Sequence, residues 1–113
     1  KHTSMESSIN KIHLRGNVGS SRILNVAQGS VVRFSLATNE VYKDRNGNVV
    51  QETQWHNVVA WSKKGMPDFS LIDKGATIEV EGRMRYVKYT NADGIEKILP
   101  EVIATTLLIK VNE

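Results

Sequence analysis

The residues best placed to act on a ligand are the two tryptophans of the stretch Thr53-Gln54-Trp55-His56-Asn57-Val58-Val59-Ala60-Trp61. An indole offers a flat π-face on which another planar group can stack, and stacking needs no acid, base or nucleophile. Valine and tryptophan favour a β-strand here. Strand alternation then puts Thr53, Trp55, Asn57, Val59 and Trp61 on one face and Gln54, His56, Val58 and Ala60 on the other. At ~3.3 Å per residue the two stems stand roughly 20 Å apart, enough for each ring to hold a different base of an extended nucleic-acid strand. Taken alone, a pair of tryptophans is more often core than contact surface, because aromatic side chains bury so much area. Their surroundings argue the other way. Five of the seven aromatic residues (Tyr42, Trp55, Trp61, Tyr86 and Tyr89) are interleaved with Lys43, Arg45, Lys63, Lys64, Arg83, Arg85 and Lys88, company that a core does not usually keep.

No constellation for catalysis accompanies them. The chain has no cysteine, its three histidines are scattered, and it lacks a phosphate-cradling glycine loop or a histidine and carboxylate pair at metal spacing. The expectation is a non-enzymatic binder with no catalytic residue, metal or cofactor. His56 is the tempting exception, but it falls on the face opposite the tryptophans, where a lone histidine is usually structural.

The elements that must position the rings read as strands. Ile12 and Leu14 alternate with Lys11, His13 and Arg15, giving a first strand over Ile9 to Val18 that bends or ends at Gly16 and Gly19. A loop through Ser20, Ser21 and Gln28-Gly29 follows, then a strand with Val32, Phe34 and Leu36 inward. Asn46-Gly47 signals a type I′ hairpin turn between arms at Glu40 to Arg45 and Asn48 to Glu52, carrying Tyr42, Lys43 and Arg45. After Trp61 comes a loop, and Pro67 opens a short helix across Asp68 to Asp73 that stops before Gly75. From Thr77 to Tyr89 a strand turns Ile78, Val80, Gly82, Met84 and Tyr86 one way and Glu79, Glu81, Arg83, Arg85, Val87 and Tyr89 the other. Asp93-Gly94 marks a second hairpin, with Ile95 to Val111 returning as a long strand in which Pro100 must sit at an edge or bulge.

At 113 residues, 40% apolar and 24% charged, the chain suits one domain with a real core, and no apolar run approaches the ~20 residues of a membrane-spanning helix. The formal charge of +3 mildly favours acidic partners. Residues 1–8 are polar and aperiodic and are expected to form a flexible arm; a chain that starts at Lys1 and reaches Met5 fits a cloning remnant or a processing scar. Residues 9–113 then make an all-β domain: a five-stranded Greek-key barrel of the oligonucleotide/oligosaccharide-binding (OB) type, with one short helix between strands three and four.

The residues also carry a specific resemblance. Asn10-Lys11-Ile12 with Gly16-Asn17-Val18-Gly19, then Phe34 to Glu40, then Thr53 to Val59, then Lys74-Gly75 and Val80-Glu81-Gly82-Arg83-Met84-Arg85 resemble, in this order, the bacterial single-stranded DNA-binding protein family. The resemblance covers about residues 9 to 111 and implies an OB fold, usually a homotetramer, that wraps single-stranded DNA with little sequence preference and protects it in replication, recombination and repair. It implies stacking roles for Tyr42, Trp55, Trp61 and Tyr89 and a place for His56 at the subunit interface; the phosphate contacts are expected, from the residues themselves, at Lys11, Lys43, Lys63, Arg83, Arg85 and Lys88. Three of the four aromatics differ from the tryptophan or phenylalanine common in the family, an exchange that stacking should survive. The loop from Ser20 to Gln28 is shorter than usual and lacks the Asp-Pro of the family. Gly65 and Pro67 interrupt the segment where a longer helix is expected. The chain stops at Glu113 without a Gly/Gln/Pro-rich linker or an acidic tip, so the expectation is weak recruitment of replication and repair proteins. Expected locations are the bacterial cytoplasm, on the nucleoid, with the mitochondrial matrix as the lesser alternative, and no membrane. Two further readings remain: a dimeric primosome-type adaptor that binds DNA more weakly, and an OB module that binds protein or sugar.

Overall fold

A computed structural model describes residues 8–110; the expected flexible arm, apart from Ser8, and Val111 to Glu113 lie outside the described residues. Five strands close into a barrel in the order β1-β2-β3-β5-β4. They are β1 (Ile12–Val26), β2 (Gly29–Lys43), β3 (Val49–Trp61), β4 (Thr77–Thr90) and β5 (Glu96–Lys110).

Closure depends on β1 changing partners. Its first half, Ile12 to Asn17, pairs antiparallel with β4, and from Asn17 onward it pairs with β2. The bend at this switch needs glycine: a Cβ on Gly16 would lie 2.0 Å from the Ala37 carbonyl oxygen. A bulge between Val18 and Ser21 then adds twist, and the strand runs on to Val26. The expected end near Val18 and the loop from Ser20 are therefore corrected. Ser20 to Val26 belong to a hairpin with β2 whose turn closes at Gly29, φ 130°. The polar Ser20-Ser21 pair reads locally as a loop, but Ser21 and its successors find ladder partners in β2 from Phe34 back to Gly29.

The barrel closes on its other side through a short parallel contact of β3 with β5, at Val58 with Val102 and Val59 with Ile103. Pro100 lies beyond that contact, on a stretch of β5 paired with β4 alone, where a missing N–H costs no ladder bond on the β3 side. β5 carries one extra residue, Thr105, where the register to β4 shifts between Glu81 and Gly82.

Inside are Val18, Val32, Phe34, Leu36, Val58, Ala60, Ile78, Val80, Val102, Ala104 and Leu107, all buried. They come from the inward set of each strand, as alternation requires. The expected helix is a single 3₁₀ turn, Phe69–Leu71, opened by Asp68, whose carboxylate accepts from the Ser70 amide at 2.9 Å. Short as it is, it drives Phe69 and Ile72 into the core as the plug.

Both long hairpins use a different turn from the expected two-residue kind. Gly47 N–H donates to the Asp44 carbonyl at 3.0 Å, Asp44 N–H donates to the Asn48 carbonyl at 2.9 Å, and the Asp44 carboxylate accepts from the amides of Asn46 and Asn48. Only Gly47 has positive φ, 84°, so this is a type I turn with a glycine bulge rather than a type I′ turn. Asn91 to Ile95 repeat the arrangement, with Gly94 at φ 78°.

Candidate nucleic-acid interface

Alternation along β3 holds in the structure: Val58 and Ala60 enter the core, while Trp55 and Trp61 stand on the outer face, 60% and 43% exposed. The two phenylalanines are buried, and Tyr42, Trp55, Trp61, Tyr86 and Tyr89 are all exposed. Aromatic area left in water on a barrel with a complete core marks candidate contact surface.

Each tryptophan rests on something specific. The six-membered ring of Trp55 lies over Gly19, where a Cβ would come within 2.5 Å of Cζ3 and 2.8 Å of Cη2. Trp61 faces a cation: the Arg85 guanidinium carbon lies 5.9 Å from its ring centroid. Between the rings, Val31, Val59 and Ile103 form a second, small buried cluster on the outer face. Trp61 pairs with Val31, Arg33 with Val59 and Arg83 with Ile103, so long side chains flank this cluster.

An ion network crosses the middle of the face. Glu101, 3% exposed, accepts from Arg85 Nη2 at 2.8 Å through Oε1 and from Arg33 Nη1 through Oε2. Burial pushes the Glu101 carboxyl up, but the two arginines together outweigh it and hold the group below the usual carboxylate range. Beside the network is a groove of about 440 Å³ lined by Ser20, Arg22, Arg33, Ser35, Asn57 and Glu101 among others. Sequence reasoning missed Arg33 and Glu101. A glutamate after a proline reads as surface, and only the spatial order β2-β3-β5-β4 brings it to both arginines.

The other candidate residues distribute unevenly. Tyr89 shares the outer face of β4 with Arg85 and Arg83, pairing with Lys97. Lys11 and Arg83 line a second hollow, of about 430 Å³, together with Asn10, His13 and Glu81. Lys63 is exposed in the loop after Trp61, and Lys43 is exposed near the tip of the first hairpin. Two residues lie on other faces. Tyr42 pairs with Val50, which puts it on the side of the hairpin away from Trp55, and Lys88 lies with Tyr86 on the face of β4 opposite Arg85. Tyr86, placed by alternation in line with the inward residues, is 66% exposed because β4 runs past the barrel rim at Met84. His56 is half-buried and its Nε2 lies 2.9 Å from Thr38 Oγ1, a hydrogen bond that accounts for it structurally. Elsewhere His13 Nε2 lies 2.5 Å from Glu79 and, with Lys110 and Arg15 nearby, lowers that carboxyl. Among the described residues no group of three or more His, Cys, Asp or Glu is arranged to hold a metal ion.

A closed five-stranded barrel, plugged between β3 and β4 and bearing aromatics and arginines on its outer face, defines an OB-type binding domain. The chain belongs to the single-strand binding protein family, whose model matches residues 9–109. It is 39% identical over 105 residues to the single-stranded DNA-binding protein of Xanthomonas axonopodis pv. citri, covering 91% of this chain and 58% of that protein. It is also 33% identical over 115 residues to the mitochondrial single-stranded DNA-binding protein 1-A of Xenopus laevis, covering 92% of this chain and 78% of the relative. The chain thus spans under two thirds of the bacterial relative. Among solved structures, the Plasmodium falciparum SSB in complex with ssDNA superposes with a TM-score of 0.78 at 31% identity, covering 96% of this chain and all of the other.

Proposed function

We propose that this domain binds single-stranded DNA with little sequence preference and shields it during replication, recombination and repair. The observation that carries the proposal is the shared outer face of Trp55 and Trp61, both exposed, with Arg33 and Arg85 between them. Rings that stand free can each take a base, and every base has a π-face, so stacking is indifferent to sequence. Phosphates meet the cations. Arg85 and Arg83 serve the tryptophan face, Lys11 extends it past Arg83, and Lys63 continues it beyond Trp61. Lys43 continues the tryptophan side along the first hairpin, whereas Tyr42, and Lys88 on the far side of β4, act on strand that has passed around the hairpins; Tyr89 stacks near the second of these. Such a path exceeds one barrel face, since a single OB domain covers only ~4 to 16 nucleotides. It fits a homotetramer in which subunits extend the track and His56 lies near a subunit contact. The role is one of binding, without catalysis, in the bacterial cytoplasm on the nucleoid, with the mitochondrial matrix as the second location. No helix among the described residues is long and apolar enough to cross a membrane.

Competition tests the proposal. Labelled poly(dT) bound to the protein should be displaced by unlabelled single strands of any composition and hardly at all by duplex of equal length, whose bases are stacked on one another. Equal competition by duplex would overturn it.

A further inference from the structure

We infer that Glu101 is a positioning residue for single-stranded DNA: it ties Arg33 and Arg85 into one phosphate-binding fork on the face that carries Trp55 and Trp61, with Arg85 against the Trp61 ring. The inference rests on the reading of this face as the DNA surface.

The carboxylate is an unexpected occupant of its position. It is buried on the outside of the barrel, beside Val31, Val59 and Ile103, where an apolar side chain would avoid the cost of desolvating a charge. The groups that satisfy it are the two arginines, one on each oxygen, reaching from β2 and from β4. Neither arginine is used up. Arg33 and Arg85 remain 43% and 38% exposed, and each spends one N–H on Glu101. Arg85 Nε is itself buried and without a partner among the described residues, so the exposure of Arg85 lies elsewhere on the side chain than at Nε. The three charges sum to one net positive charge, which a single phosphate neutralises. Tying also fixes the guanidinium of Arg85 near the Trp61 ring, so that one residue serves a phosphate and the adjoining base platform.

Positioning and simple charge balance predict opposite signs for one substitution. Glu101→Gln removes a negative charge from the DNA face. If only charge matters, affinity for poly(dT) should rise and the slope of log affinity against log salt should steepen by about 0.7. If Glu101 positions the fork, affinity should fall roughly tenfold despite the added positive charge. The slope should then flatten by about 0.7 for each phosphate that the fork no longer neutralises. Glu101→Asp keeps the charge and draws the carboxylate back by one methylene, so positioning requires an intermediate loss. It carries the test by itself if thermal melting shows the glutamine variant unfolded. A folded variant of either kind that binds as tightly as the parent or more tightly, with an unchanged or steeper slope, would overturn the inference. Failure of the parent protein to bind poly(dT) would instead remove the DNA reading on which the inference stands.

Discussion

Trp55 lies in the space that a side chain on Gly19 would need: a Cβ there would come within 2.5 Å of the indole. The bulge of β1 between Val18 and Ser21 carries Gly19, and Ser35 on β2 holds the bulge by accepting from the Ser20 amide at 3.1 Å. Gly19→Ala should therefore lift the ring off its seat. Because the ring is at the surface and can swing out, the cost should appear in binding, about fivefold weaker for poly(dT), with stability changed by less than about 1 kcal/mol. Titration and thermal melting of the same variant separate the two.

Rings and cations should be distinguishable by salt. Trp55→Ala or Trp61→Ala removes a stack worth ~1 to 3 kcal/mol, roughly 5-fold to more than 100-fold in affinity, with the salt slope nearly unaltered. Arg85→Ala should weaken binding and also flatten the slope by about 0.7 per phosphate in each subunit. Lys88→Ala, on the other face of β4, should flatten it similarly on long strands. It should have little effect on an oligonucleotide that spans only the tryptophan face. Affinities measured over a salt series with long and short oligo(dT) check all four.

Acid should loosen the same face. The carboxyl of Glu101 is held below its usual value of 4.5, as is that of Glu79 beside His13. A carboxyl with a depressed folded value contributes stability that is fully present above the unfolded value and is lost as pH falls through the folded one. Stability should thus hold down to about pH 4.5 and decline below it. Glu101→Gln should be less stable than the parent at neutral pH and lose less on acidification. Unfolding midpoints in denaturant from pH 7 to pH 3 report this directly.

Assembly is accessible to light scattering. A homotetramer at micromolar concentration is expected, and His56→Ala, which also removes the bond to Thr38, should shift it toward smaller species while sparing the tryptophan face. A monomeric mass for the parent would contradict this.

Much of the candidate site's placement was legible because strand alternation is a local property. Trp55, Trp61, Arg83, Arg85 and Tyr89 fall on the faces that a period of two assigns. Tyr42 was not, and the reason is one residue of register. A two-residue turn at Asn46-Gly47 would pair Arg45 with Asn48 and bring Tyr42 to the tryptophan side. The observed turn pairs Lys43 with Val49, and that single step moves Tyr42 to the other face. The continuation of β1 past Ser20, the 3₁₀ turn in place of a helix, and the Arg33, Glu101 and Arg85 network share another cause. Each depends on which strands become neighbours, and only the closed barrel decides that.

The most direct test is the intrinsic fluorescence of Trp55 and Trp61, the only tryptophans in the chain, during titration with poly(dT). If the rings stack on bases, emission should be strongly quenched and should saturate. Trp55→Ala and Trp61→Ala should each remain folded, lose part of the quench and bind more weakly. Saturable binding of poly(dT) with no change in emission, or variants that unfold without any separable loss of affinity, would make the rings structural and contradict the stacking mechanism.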